Sequence, residues 1–568
     1  MADRTGTNRI IDDALSSSDE RRVTAIVRLP RPRVSKHQSS RERVETMREN
    51  AARTQEPVER FARPRSGVSL KNSFWIANAV VLEVDTAHVS LGELAAIDGV
   101  RRVHENVEVK ALDDGGRQAG TAASEDGVSI TDHGEYTYGL EQIDVPAVWD
   151  EHGVQGEGVR VAVLDTGIDI DHPDLDLYTD DPDDPTYPGG WAEFDSEGDE
   201  VEDSYPHDTD AHGTHVSGTV AGGDESGTHV GVAPEVDLMH GLVIPEDSGT
   251  WSQIIAGIQW AVEENADVVN MSLGAEGYYD EFVEPLENTL AAGTFPVSCS
   301  GNDGEGTSWA PANLYDGMAV GATDANEDVT DFSSGELIDT DAAWGEDTPD
   351  DWPDEYVVPD VAAPGDDVLS AVPDENYGEA SGTSMAAPHV AGVAALMISA
   401  AEDVDPGELQ TVLEETAWKP DNWDEDDAEW VIEDKDSRYG AGIVDAKAAV
   451  DQVALGDPAL TSVDVDSISV GGTSNVEVTA ENVSSVRIDG LWSDWVVDET
   501  ETDGASFVDQ VEEGSWCRFD WDSAQSAVSV SLTIEPPGGT YAGGTYMLGV
   551  DGAHEDSSDD QWPTFEIQ

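Results

Sequence analysis

Apolar and polar positions follow three different rhythms along this chain, and each rhythm marks a different kind of element. Between residues 22 and 110, short apolar runs ("RRVTAIVRL", "FWIANAVVLEV", "VRRVHENVEV") bracket two stretches of helical spacing, "SSRERVETMRENAARTQEPVERF" and "SLGELAAI". From 138 to 455, short continuous apolar runs end in glycine or a polar residue ("VRVAVLDTG", "DLMHGLVI", "ADVVNMSLG", "TFPVSCSGN", "GMAVGAT"). They alternate with the helical segments "GTHVSGTVAG", "WSQIIAGIQWAVEE" and "EFVEPLENTLAAG". After 456 the alternation continues without helices, as in "TSVDVDSISVGGTSNVEVTAENV" and "SAVSVSLTIEPPGGTYAGGTYMLGV".

These rhythms predict three folded parts, as a length of 568 residues demands. Residues 22–110 read as an α+β unit in the βαββαβ order of a ferredoxin-like plan, with one strand poorly marked. Residues 138–455 read as an α/β domain, a doubly wound parallel sheet, because apolar strands joined by helices pair in parallel with helices on both faces. Residues 456–568 read as an antiparallel β-sandwich. Residues 1–21 are expected to form a flexible N-terminus and the Gly/Ser/Asp-rich 111–137 an exposed linker. Two acidic stretches, 176–210 and 336–356, are expected to be surface insertions.

Charge sharpens this picture. The chain carries 121 acids against 27 bases, net −94. Residues 1–117 hold 20 of the bases and 18 of the acids, so nearly all the excess lies in the remaining 451 residues. Such a surface repels itself in dilute buffer, and molar salt, with a Debye length of about 3 Å, screens the repulsion. Scarce lysine with abundant carboxylates therefore suits a salt-adapted protein. The plainer alternative, disordered acidic tails, fits poorly with acids spread through apolar-periodic segments that hold most of the 16 Trp. A polyanionic partner such as nucleic acid would be repelled. No run of 18 apolar residues suggests a membrane span. Two cysteines far apart, Cys299 and Cys517, support neither a disulfide framework nor a Cys-rich zinc site. The N-terminus lacks an apolar core region and does not read as a signal peptide, which implies a cytoplasmic location if the start is correct.

The chemistry gathers at strand ends. "VRVAVLDTG" delivers Asp165 past the carboxyl end of a parallel strand, where functional residues of such sheets collect. "DAHGTHVSGTVAG" places His212 at the start of a Gly-rich helix, and "SGTSMAAPHVAG" places Ser384 at the start of another. A carboxylate, a base and a nucleophile so placed are what a Ser-His-Asp triad needs. At a helix start the backbone N–H groups have no partners, so Ser384's own N–H can face a developing oxyanion. Gly382, Ala386 and Ala387 keep side chains away, and Pro388 removes at most one helical bond. Taken singly, each residue has a plainer reading. Asp165 could be a structural strand-end carboxylate, and "DTG" also occurs in aspartic proteases. His212 and His215 could hold a metal, although no HExxH pattern accompanies them. His172 and His389 read as packing or supporting residues.

Jointly, the blocks "VAVLDTGIDIDHPDL", "HGTHVSGTVAG" and "SGTSMAAPHVAGVAAL" resemble those of the subtilisin-like serine proteases (subtilases, peptidase S8 type) in wording and in the order Asp, His, Ser. "NMSLG", "SGNDG", "APG" and "YGAGIVDA" extend the resemblance over about 138–453. It implies a serine endopeptidase cleaving peptide bonds of proteins through an acyl-enzyme, without an organic cofactor. Ser384 would be the nucleophile, His212 the general base, Asp165 its orienting carboxylate and Asn302 the side-chain oxyanion donor. Ser272, Leu273 and Gly274 match the strand that pairs with an extended substrate. Cys299, Ser300 and Gly301 match the opposite wall of the P1 pocket. The segment after Asn302 departs from the pattern and brings Trp309 towards the pocket floor. Asp174 matches a family ligand for structural calcium, with the loop 223–229 as the rest of that site.

The acidic composition with a C-terminal β extension points to the halolysin-like branch. The N-terminal unit resembles the family's inhibitory propeptide, so the chain would be a self-processing zymogen cut within the linker and inhibited by its own propeptide. A monomer is expected, and the family's usual extracellular location conflicts with the missing signal peptide. The competing reading is an inactive subtilase-like scaffold whose β-sandwich binds a polymer or surface.

Overall fold

The computed structural model describes positions 11, 12 and 15, residues 21–111 except 33, 36 and 37, and most of 134–455. Within the last range 179–189, 247, 346–347, 350–351, 402–403, 421–422, 424–427 and 433 are not described. Beyond 455 it describes the strands between Ala459 and Glu566. Most of the expected flexible N-terminus and the linker 112–133 lie outside the described residues. Met1–Val450 forms one compact unit and Asp451–Gln568 another.

The N-terminal part has a four-stranded antiparallel sheet in the spatial order Val68–Phe74, Ala79–Asp85, Arg22–Arg28, Arg102–Glu105, with helices Ser40–Ala62 and Leu91–Ala95. This is the βαββαβ order expected from the sequence. A capping box opens the long helix: the Ser39 hydroxyl accepts from the Glu42 N–H at 3.4 Å, and Glu42 Oε2 accepts from the Ser39 N–H at 3.0 Å. The poorly marked strand is Val68–Phe74, where Lys71, Asn72 and Ser73 interrupt the apolar pattern and Leu70 is exposed. The run "FWIANAVVLEV" is not one strand. A turn through Asn78, at φ 41°, separates Phe74 from the strand beginning at Ala79.

The run "VRRVHENVEV" also divides. Arg102–Glu105 stays in the N-terminal sheet. Glu108–Ala111 leaves it and inserts between two other strands, with Ala111 opposite Leu273 and Lys110 opposite Gly274 on one side and Val109 opposite Gly249 on the other.

The α/β body is built on a seven-stranded parallel sheet in the order Val361–Pro364, Met318–Thr323, Phe295–Cys299, Val268–Met271, Arg160–Asp165, Asp237–Leu242, Trp191–Glu193. The edge strand Trp191–Glu193 lies inside the acidic stretch expected to be a surface insertion. Its Trp191 and Ala192 are buried, and surrounding acids hide so short a strand. The second acidic stretch is likewise partly core. Glu336–Asp339 and Glu355–Val358 form a hairpin that buries Trp344, Trp352 and Tyr356, with the Trp344 Nε1–H donating to the Tyr356 hydroxyl at 3.0 Å.

The N-terminal part packs on helices Trp251–Glu263 and Val283–Ala292 of this body. Ile26, Phe74 and Ile76 join Trp251, Ile255 and Leu286 in one apolar cluster. Ion pairs surround it: Arg28–Asp280 at 3.2 Å, Arg31–Glu287 at 2.7 Å, Arg48–Glu263 at 2.9 Å, and Arg102 on Asp280. The near-neutral unit thus sets its cations against acids of the body.

Among its described residues the second unit, by itself, follows the end of helix Ala446–Leu455 with antiparallel strands in a four-stranded sheet, a five-stranded sheet and a two-stranded pair, with Val478, Val486 and Phe519 buried.

Candidate active site

Strand Arg160–Asp165 lies inside the sheet between Val268–Met271 and Asp237–Leu242, and its last residue is buried completely. Asp165 Oδ1 accepts from the Thr166 N–H at 2.7 Å and lies 2.7 Å from His212 Nδ1. His212 is the first residue of helix His212–Ala221, after Ala211 in the left-handed region at φ 70°. Its approach to Asp165 depends on Gly213, where a Cβ would stand 2.1 Å from the Gly167 carbonyl oxygen. Thr166 and Asp208 fasten this corner. The Thr166 hydroxyl donates to Asp208 Oδ1 at 2.9 Å and accepts from the Gly213 N–H at 2.9 Å, while Asp208 Oδ2 accepts from the Thr214 N–H at 2.9 Å. Asp208 therefore caps the helix from outside the usual position, and a carboxylate there also suits the helix dipole. Spacing alone gave no sign of it.

Helix Thr383–Ala400 packs against helix His212–Ala221 and carries Ser384 as its second residue, fully buried. Ser384 Oγ stands 3.3 Å from the Ser272 carbonyl oxygen and 3.9 Å from Cys299 Sγ. Pro388 explains a further contact. It lacks the N–H that would bond the carbonyl four residues back, which is Ser384's. That carbonyl instead accepts from the Ser272 hydroxyl at 2.8 Å, and Ser272 is held by Asn270 Nδ2 at 3.0 Å. The proline thus ties the serine's turn to the segment Ser272–Gly274.

Asn302 Oδ1 accepts from both the backbone N–H and the hydroxyl of Thr383, each at 2.9 Å. Two donors on the oxygen fix the amide's orientation and turn the Nδ2 end the other way. Sequence reading missed Thr383, which also bonds Gly301 through its hydroxyl at 3.2 Å. Cys299 Sγ reaches the Leu273 carbonyl oxygen at 3.9 Å. Burial, and more weakly the Asp165 charge, push its thiol up to about 12, so it stays protonated and unreactive.

The neighbouring histidines are tied elsewhere. His215 Nε2 bonds the Val368 carbonyl at 2.9 Å, His389 Nδ1 the Met385 carbonyl at 2.8 Å, and His172 Nε2 the Asn376 carbonyl at 2.9 Å. Burial lowers His215 and His389 to about 4, so both are neutral at pH 7. His240, also missed in the sequence, accepts from the Gly167 N–H at 3.1 Å and braces the turn after Asp165.

Asp174 sits apart from this cluster, and its surroundings do not fit a calcium site. Oδ1 accepts from the Glu225 N–H at 2.8 Å and Oδ2 from the Tyr377 hydroxyl at 2.6 Å. In the loop, the Asp224 and Thr228 carbonyls accept from the Gly227 N–H and the Ser226 hydroxyl. Protein donors thus already occupy part of the acceptor capacity a cation would need. Among the described residues no group of three or more His, Cys, Asp or Glu could hold a metal.

The geometry agrees with the sequence's relatives. Residues 156–442 match the family model Peptidase_S8, described as the subtilase family. The chain is 35% identical to the "Major intracellular serine protease" of Bacillus subtilis (strain 168) over 281 residues, 48% of this chain and 78% of that one. It is 35% identical to "Subtilisin DY" of Bacillus licheniformis over 287 residues, 49% and 90% of the two chains. It is 33% identical to "Subtilisin E" of Bacillus subtilis (strain 168) over 319 residues, 55% and 70%. The chain therefore belongs to the subtilase family, has an α/β subtilisin fold, and is a serine endopeptidase.

Proposed function

We propose that Asp165, His212 and Ser384 form the catalytic triad of a salt-adapted, self-processing endopeptidase of the halolysin-like branch. The 2.7 Å Asp165–His212 bond in a buried site carries this reading. With Asp165 on Nδ1, the imidazole offers Nε2 as the base. Ser384 Oγ attacks the carbonyl carbon of the peptide bond as His212 Nε2 takes its proton, and Asp165 stabilises the imidazolium. The carbonyl oxygen, now negative, receives hydrogen bonds from Asn302 Nδ2 and the Ser384 backbone N–H at the helix start. His212 returns the proton to the leaving amine as the C–N bond breaks. Water then repeats the sequence on the acyl-enzyme and releases the carboxylate.

Ser272, Leu273 and Gly274 would pair with an extended substrate, as Leu273 and Gly274 pair with Ala111 and Lys110. Cys299, Ser300 and Gly301 would form the facing wall of the P1 pocket. The N-terminal part would be an intramolecular inhibitor that fills this groove with its own strand until the linker is cut. The antiparallel sheets of the second unit would form a β-sandwich. The excess of carboxylates supports function in molar salt, where repulsion is screened.

Hydrolysis of a generic peptide substrate by wild type, Ser384→Ala and His212→Ala in molar salt tests the triad. Removing either residue should cost about a millionfold in turnover. A Ser384→Ala protein that still hydrolyses the substrate would refute it.

A further inference from the structure

The pocket beside Ser384 contains a residue that the triad reading leaves unused. The indole of Trp309 fills the space between the two segments flanking the serine. A Cβ at Gly274 would meet Trp309 Cε3 at 3.4 Å, and a Cβ at Gly301 would meet Trp309 Cδ1 at 2.4 Å. Cδ1 lies in the five-membered ring and Cε3 in the six-membered ring, on either side of the Cβ–Cγ bond, so the base of the indole stands between the two glycines. Its backbone is bound to both sides: it pairs with Glu276 in the strand Leu273–Glu276, and its N–H donates to the Ser300 carbonyl at 3.2 Å. The Nε1–H donates to Asp303 Oδ2 at 2.7 Å, which holds the ring in this rotamer. At φ 122° Gly301 also resists any side chain that would displace it.

From this geometry we infer that Trp309 is a specificity-determining residue that shortens the P1 pocket, so that the enzyme accepts aliphatic P1 residues up to leucine and rejects phenylalanine and tyrosine. The inference rests on the proposed pocket walls Ser272–Gly274 and Cys299–Gly301. A branched aliphatic side chain can end against the indole face. An aromatic one needs the space the indole holds, and overpacking a well-filled site costs enough to discriminate strongly.

The test is a peptide series differing only at P1 (Ala, Leu, Phe, Tyr), read as kcat/KM with active-site titration. Wild type should favour Leu over Phe by at least tenfold. Trp309→Ala should raise the Phe/Leu ratio at least tenfold while retaining P1-Leu hydrolysis. A wild-type series that favours Phe or Tyr overturns the inference without any variant, as does an unchanged ratio in a Trp309→Ala enzyme still active on P1-Leu. Wild type inert on every peptide and silent in active-site titration would sink the triad reading and this inference together.

Discussion

The Arg28 guanidinium lies 3.2 Å from Asp280, and both side chains are almost completely enclosed between the N-terminal part and the α/β body. Asp280 also accepts from Arg102. Removing the carboxylate breaks the ion pair of the nearly enclosed Arg28, at a cost of about 3–5 kcal/mol. Asp280→Ala in a Ser384→Ala background should therefore lower the urea midpoint of the intact chain at every salt concentration. Glu263→Ala, which breaks the half-exposed Arg48–Glu263 pair, should cost about 1 kcal/mol or less and even less in high salt. Equal effects of the two variants would remove Asp280 from its docking role.

Glu284 lies in the same interface, buried, with neither carboxylate oxygen hydrogen-bonded among the described residues. Burial raises it to about 7, against the opposing pull of Arg28, Arg31 and Arg101. A carboxyl raised in the folded state adds stability that is full below its unfolded value, near 4.5, and is lost as pH climbs through about 7. His104 runs the other way: burial holds it near 3, so its contribution is lost as pH falls below its ordinary 6.5. The stability of wild type relative to Glu284→Gln should fall between pH 5 and 8 by roughly 2–3 kcal/mol, and the difference isolates Glu284 from His104. A pH-independent difference would contradict this.

Thr383 orients the Asn302 amide through two bonds to Oδ1. Asn302→Ala should cut kcat about a hundred- to a thousandfold with little change in KM. Thr383→Val keeps the backbone N–H and loses only the hydroxyl, so its loss should be smaller, about tenfold. Steady-state kinetics on one peptide decide it, and a Thr383→Val loss exceeding that of Asn302→Ala would assign the threonine another role.

With both Asp174 oxygens taken by protein donors, a calcium chelator should leave the unfolding midpoint unmoved. Tyr377→Phe, which strips a donor from a charged acceptor, should lower stability by about 1–3 kcal/mol. A midpoint that drops on chelation and returns with added calcium would show that a cation displaces these bonds.

The parts of this molecule most legible in the sequence were those whose local signals agree with their surroundings. The central strands are apolar on both faces, and Asp165, His212 and Ser384 each stand at an element end marked by glycine or small residues. What stayed hidden depended on long-range contacts. Trp191–Glu193 is a three-residue strand among acids. Glu108–Ala111 looks continuous with the strand before it, yet belongs to the body because Leu273 offers it an edge. Asp208 caps a helix across a turn, and Thr383 acts through Asn302, 81 residues away. The partners around Asp174 could not be read from its motif, because Tyr377 arrives from 203 positions downstream.

In the proposed zymogen, Ser384 cuts its own chain. The strand Glu108–Ala111, just before the linker, pairs with Leu273 and Gly274, and the neighbouring Ser272 hydroxyl holds the Ser384 carbonyl. Intact mass of wild type and Ser384→Ala, refolded in molar salt, tests the claim directly. Wild type should be cut within 111–137, and a Ser384→Ala chain should remain whole. A Ser384→Ala chain cut at the same bond, or a fully active wild type that stays at full length, would contradict it.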